Sequence, residues 1–327
     1  MAVMQFREAL RAALREEMRR DLRVFLMGEE VGEYNGAYKV SEGLLAEFGP
    51  QRVVDTPISE LGFAAIGVGA AMVGLRPVIE FMTFNFALLA IDQVVNHAAK
   101  ILHMSGGQFS VPIVFRGPSG SAGQLAQQHS QCFENWYANV PGLKVVSPST
   151  PRDAKGLLKS AIRDDDPVIV MESELMYGMK GEVPEDEDFL IPIGQAEIKK
   201  PGTDVTVVSF GKMVHVALEA AQALEKEGIS VEMIDLRSLR PIDYDTVIRS
   251  VQRTNRMIIV EESWPLGGIA AEVAFMVQRR AFDYLDAPIV RITGADAPMG
   301  YAPTLVEAYL PKVKEIVEAA KYVAYQR

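Results

Sequence analysis

The feature that most constrains this chain is an alternation. Short β-branched runs are separated by longer stretches of helical periodicity, the pattern of βα units wound on a mainly parallel sheet. In the first half, strand candidates fall at residues 24–27, 52–55, 78–81, 113–115, 144–146 and 168–171, with helical patterns at 61–73, 87–104 and 152–163. A second series follows, with strands at 205–210, 231–234, 258–260 and 289–292 and helices at 214–227, 244–252, 269–280 and 306–325. Gly228 stands where the 214–227 helix needs a C-cap. Between the two series, residues 181–188 hold five acids in eight positions and read as a solvated connector. A chain of 327 residues with this break is expected to form an α/β protein of two domains, 1–185 and 186–327. Each is a mainly parallel sheet flanked by helices.

With 49% hydrophobic and 23% charged residues, the chain can build a sizeable core, which excludes disorder. Lys and Arg number 33 against 43 Asp and Glu, a net charge of −10 that argues against nucleic acid and anionic membranes and leaves room for a basic protein partner. The lone Cys132 excludes an intrachain disulfide and a Cys-rich metal site within the chain. Residues 1–23 are Arg-rich like a mitochondrial presequence, but Glu8, Glu16, Glu17 and Asp21 do not suit one. Phe6, Leu10, Leu14, Met18 and Leu22 recur every four residues as the packed face of a first helix. The longest low-charge stretch, 61–75, is too short to span a bilayer, so a soluble, cytoplasmic protein is expected.

Several motifs point away from familiar chemistries. Gly67-Val68-Gly69 and Gly74 are spaced GxGxxxxG and precede a strand, so they suit close helix packing better than dinucleotide binding. The run from Gly117 to Ser121 fails the nucleophile-elbow pattern at its last position. His97, His103, His129 and His215 show no zinc spacing. His129 differs from the others in lying on a polar loop within residues 117–142, three positions before Cys132. A Cys–His pair and an inert buried thiol are both open there, whereas Trp136 and Tyr137 are expected to pack.

Glu60 runs from a strand end into a helix start. It is either an ordinary complement to the helix dipole or, if packing buries it, a proton-holding acid. The Phe81-Met82-Thr83-Phe84-Asn85-Phe86 run is either core or an aromatic platform for a flat ring.

Taken together, these segments resemble a known family. They are Gly28-Glu29-Glu30-Val31, Gly36-Ala37-Tyr38-Lys39-Val40, Asp55-Thr56-Pro57-Ile58-Ser59-Glu60, the 80–86 run, Ala90-Ile91-Asp92-Gln93, residues 112–118, Gln128-His129-Ser130-Gln131, residues 141–146, and Thr293-Gly294-Ala295-Asp296. In this order they are similar to the β subunits of thiamine-diphosphate-dependent pyruvate dehydrogenases, transketolase-like members of the 2-oxoacid dehydrogenase complexes. The resemblance implies a pyrimidine-binding domain followed by a transketolase C-terminal domain. No Gly-Asp-Gly occurs here, so the magnesium and diphosphate half of thiamine diphosphate is expected from a separate α subunit carrying Gly-Asp-Gly…Asn, in an α₂β₂ heterotetramer. The chain alone is expected to be inactive.

The implied activity is oxidative decarboxylation of pyruvate, with the acetyl group passed to lipoyl on the dihydrolipoyl acyltransferase. By resemblance, Glu60 exchanges a proton with the aminopyrimidine ring, Phe86 stacks on that ring, and Ile58 and Met82 are its apolar neighbours. His129 serves lipoyl or substrate, and Glu29 belongs to an acidic route between paired sites. A structural potassium is implied at Ile113, Ala161, Ile162, Asp164 and Asp166, where the plainer reading is an acidic helix end before Pro167. The lipoyl and subunit-binding domains of the acyltransferase are the implied partners, the latter basic and docking near Asp286. A branched-chain 2-oxoacid or acetoin dehydrogenase β subunit is the close alternative, and a non-catalytic assembly subunit the alternative of another class.

Overall fold

The first helix forms largely as its spacing demands. In the computed structural model, which describes residues 1–325, β1 (Ala2–Gln5) leads into α1 (Phe6–Arg20). Phe6, Leu10, Leu14 and Met18 are buried, and the Glu8 carboxylate accepts from the Gln5 amide at 2.7 Å across the first turn. Leu22, the fifth member of the expected stripe, is exposed because the helix stops at Asp21.

The βα series follows as β2 (Val24–Gly28), α2 (Leu44–Phe48), β3 (Val53–Asp55), α3 (Glu60–Met72), β4 (Arg76–Glu80), α4 (Ile101–Met104), β5 (Val114–Pro118), α5 (Glu134–Ala138), β6 (Lys144–Val146), α6 (Pro151–Arg163), β7 (Val168–Glu172) and β8 (Lys180–Val183). The expected helix over 87–104 is instead a 3₁₀ segment (Phe84–Ala90), a π turn (Gln93–Ala98) and the short α4. Six of these strands lie parallel in the order β6-β7-β5-β4-β2-β3, while β1 and β8 form a separate antiparallel ribbon. Every residue of β2, β4, β5 and β7 is buried, as expected for strands covered on both faces.

The second half adds β9 (Glu197–Lys200), β10 (Val205–Ser209), α7 (Met213–Lys226), β11 (Val231–Asp235), β12 (Ser238–Arg240), α8 (Tyr244–Thr254), β13 (Met257–Val260), α9 (Ile269–Ala281), β14 (Val290–Ile292), α10 (Pro303–Tyr309) and α11 (Val313–Val323). Its sheet runs β14-β13-β10-β11-β9, with β9 antiparallel. Gly228 follows α7 at φ +82°, the left-handed turn its glycine was expected to make. The expected terminal helix over 306–325 is split into α10 and α11 by Leu310-Pro311-Lys312.

The two halves are joined by more than a linker. β12, from the second half, pairs antiparallel with β6 and becomes the seventh strand of the first sheet. One apolar core continues from Phe63 and Val68 of α3, through Phe115 and Ile234, to Val251 of α8 and Val273 of α9. The acidic stretch 181–188 is not wholly solvated either. Val183 is buried in β8, and the two buried ammonium groups of Lys155 and Lys159 donate to the carbonyls of Pro184 and Glu187.

α3 lies close on the sheet because Gly67 lets it. A Cβ at Gly67 would stand 2.6 Å from Ile79 Cδ1, whereas one at Gly69 or Gly74 meets nothing within 4 Å. The packing role of the glycine run therefore rests on Gly67. Gly67→Val is expected to lower unfolding stability by about 1–3 kcal/mol through overpacking. Gly69→Ala should not lower it. Denaturant titration of both variants checks this.

Candidate active site

The carboxyl ends of parallel strands are where an open α/β sheet gathers its ligand-binding side chains. Glu29 follows β2, Glu80 ends β4, Arg116 lies in β5 and Glu172 ends β7. Glu60 opens α3 after the loop from β3. All five are buried.

The Glu60 carboxyl lies close enough to Glu29 to disfavour its ionisation. The Met82 amide donates to Glu29 Oε2 at 3.3 Å. Burial pushes the Glu29 carboxyl up to about 7; the Met82 amide opposes the rise, and the Glu60 and Glu80 carboxyls add to it. Glu29 is therefore the carboxyl here that keeps a proton toward neutral pH.

Behind this pair is a cluster that sequence reading missed. Arg116 donates in a fork to Glu172, at 2.7 Å from Nε and 2.5 Å from Nη2, while Nη1 donates to Glu80. Tyr177 O–H donates to Glu172 Oε2 at 2.7 Å. Burial alone would lower the Arg116 pKa, but Glu172 and Glu80 more than reverse this, so the guanidinium stays charged. The available signal was Arg116 directly after the apolar Ile113–Phe115 run, a charge where a buried strand tolerates none without partners.

The aromatic run divides its roles. Phe81 and Phe84 pack edge to face in the core at 5.4 Å. Phe86 is half-buried and meets the half-buried His129 ring edge to face, with centroids 5.0 Å apart. Met82, also half-buried, sits on the segment joining Phe86 to the Glu29–Glu60 pair. A buried carboxyl able to exchange a proton and a half-buried aromatic face are the groups an aminopyrimidine ring requires, so these residues fit that half of thiamine diphosphate.

The transketolase pyrimidine-binding domain family matches residues 2–180, and the transketolase C-terminal domain family matches 194–316. The pyruvate dehydrogenase E1 component subunit beta of Rhizobium meliloti (strain 1021) is 59% identical over 326 residues, covering 100% of this chain and 71% of that one. The mitochondrial E1 beta subunit of Bos taurus is 56% identical over 319 residues, covering 96% and 89%. This chain belongs to the pyruvate dehydrogenase E1 β-subunit family. In fold it is also similar to a split-gene transketolase described as an inactive beta4 tetramer, with TM-score 0.80, 23% identity and 98% of each chain covered.

Ile58, two residues before Glu60, is 83% exposed in the free chain. Trp136 packs edge to face on Phe133 at 4.9 Å while staying half exposed, and Tyr137 is buried. Cys132 is buried, and burial pushes its thiol up, the opposite of an activated nucleophile.

The five potassium candidates already have partners. Arg76 donates to the Ile162 carbonyl at 2.9 Å and the Asp164 carbonyl at 2.7 Å. Ala161 O accepts from the Asp164 amide, and Ile113 O from the Val168 amide. Lys144 meets the carboxylates of Asp164 and Asp166 at 2.7 and 3.0 Å. Positive charge facing this acidic helix end thus comes from Arg76 and Lys144. Among the described residues, no helix is long and apolar enough to cross a membrane.

A carboxyl raised in the fold stabilises it as the acid. For Glu29 that contribution is complete below the ordinary value of 4.5 and is lost as pH rises through about 7. Glu29→Gln is therefore expected to reduce the fall in stability of the free chain between these pH values. An unchanged slope in pH-resolved denaturation would contradict the proton kept on Glu29.

Proposed function

We propose that this chain is the β subunit of a thiamine-diphosphate-dependent pyruvate dehydrogenase. It acts with a separate α subunit in an α₂β₂ heterotetramer, and the acetyl group goes to lipoyl on the acyltransferase component. The observation that carries this reading is the buried Glu29–Glu60 pair at the sheet's carboxyl edge, linked through the Met82 segment to the Phe86–His129 contact. The identity to pyruvate dehydrogenase E1 beta subunits supports it along the whole chain.

Bound thiamine diphosphate supplies the carbanion and the electron sink that decarboxylate a 2-oxo acid. Glu60 hydrogen-bonds a ring nitrogen of the aminopyrimidine and exchanges a proton with it. Glu29 keeps that proton in reserve, since two buried carboxyls side by side do not both ionise freely. Phe86 offers its face to the ring and Met82 an apolar neighbour. His129, on a loop whose preceding residues Gln127 and Gln128 are exposed, meets the lipoyl group and supplies a proton to its sulfur. The magnesium and diphosphate half is held by the α subunit. The Asp286 carboxylate is 56% exposed and only 3.6 Å from the Arg256 guanidinium, and it offers an acidic contact to a basic subunit-binding domain.

Two measurements on the reconstituted heterotetramer test the reading. Glu60→Gln is expected to lower turnover by a factor of about 10²–10⁴, the usual contribution of general acid–base catalysis. Activity retained within about tenfold would leave the chain a non-catalytic assembly subunit. Pyruvate should be preferred over 3-methyl-2-oxobutanoate; the reverse preference would make the enzyme a branched-chain type.

A further inference from the structure

The His129 ring is placed without a side-chain hydrogen bond of its own among the described residues. Its position depends on the backbone of its loop and on the edge contact with Phe86. The preceding stretch is poorly tethered: residues 123–125 and 127–128 are exposed. Gln124 and Ala126 hold φ of +62° and +64°, and Ala126 has ψ −163°, a conformation that a Cβ makes costly. Such a backbone persists only where its surroundings hold it.

The hold lies two residues beyond His129. The Gln131 amide donates to Asn85 Oδ1 at 3.0 Å, and the Gln131 carbonyl accepts from the Gly120 amide at 2.9 Å and the Ser119 hydroxyl at 3.3 Å. Asn85 is only 3% exposed and is itself oriented by donating from Nδ2 to Thr83 Oγ1 at 2.6 Å. Its neighbours in sequence are Phe84, locked in the core, and Phe86, the partner of the His129 ring. One side chain thus ties both members of the Phe86–His129 contact to the same rigid wall.

We propose that Asn85 is a positioning residue for acyl transfer, clamping the loop at Gln131 so that His129 is presented against Phe86. The catalytic part of this inference rests on the role of His129 given above. Asn85→Ala removes the acceptor for the Gln131 amide. Asn85→Asp keeps it, and the Thr83 hydroxyl can turn its proton toward the new oxygen, so this variant separates loss of the clamp from loss of the fold.

The test uses the reconstituted heterotetramer with a lipoyl domain. In Asn85→Ala, amide exchange over residues 122–131 should rise at least tenfold, with Asn85→Asp near the parent. Acetyl transfer to lipoyl should fall at least tenfold in Asn85→Ala, while decarboxylation read with an artificial electron acceptor stays within about threefold. Adding Asn85→Ala to His129→Ala should cost no further transfer activity, because residues acting through one another are not additive. Unchanged exchange, parallel loss of both activities or additive losses in the double variant would each overturn the proposal. If His129→Ala alone leaves transfer intact, the role of His129 and the catalytic half of the proposal fail together, and amide exchange still decides whether the clamp exists.

Discussion

The site depends on one buried cation. Arg116 lies beneath the ends of three adjacent strands and binds the carboxylates of Glu80 on β4 and Glu172 on β7. A buried ion pair of this kind contributes little net stability, but removing one partner leaves an uncompensated charge and is costly. Its consequence here is spatial. Glu80 is fixed close enough to bear on Glu29, as the Glu60 carboxyl also does. Burial pushes Glu80 up while Arg116 pulls it back, so the cation opposes protonation of Glu80.

The second domain is attached by the same economy of buried charge. Asp153 at the start of α6 and Asp235 at the end of β11 are both inaccessible, and the Ser149 hydroxyl reaches them at 3.3 and 2.5 Å. Lys199 and Arg237 supply the cations. Burial, with the Asp153 charge next to it, pushes Asp235 up to about 7. Together with β12 in the first sheet and the shared apolar core, this cluster holds the halves in a fixed relation. Such rigidity suits the shared cofactor site proposed above, in which separate chains would position the two ends of the cofactor.

Much of this was legible in the sequence, for identifiable reasons. The parallel strands declared themselves because continuous runs such as Val168–Met171 are what sheets covered on both faces use. Glu60, Phe86 and His129 were legible by resemblance, and His129 also by its polar loop. The edge strands β1, β8, β9 and β12 carry mixed polarity and take their conformation from partners distant in the chain, which local pattern cannot show. The broken helix over 84–104 was hidden because its apolar period continues while its hydrogen bonding changes. Arg76 and Lys144 were missed as the cations facing Asp164 because their contacts join residues 88 and 20 positions apart. The Glu80–Arg116–Glu172 cluster lies across three strands, and only their register brings it together.

The central claim is that this chain supplies the aminopyrimidine half of a shared cofactor site. Calorimetric titration with thiamine diphosphate and magnesium tests it most directly, on the free chain and on the chain assembled with its α subunit. The account predicts saturable binding only by the assembly, with affinity weakened by at least tenfold when Glu60 is replaced by alanine. Tight binding by the free chain, or an assembly indifferent to Glu60, would contradict it.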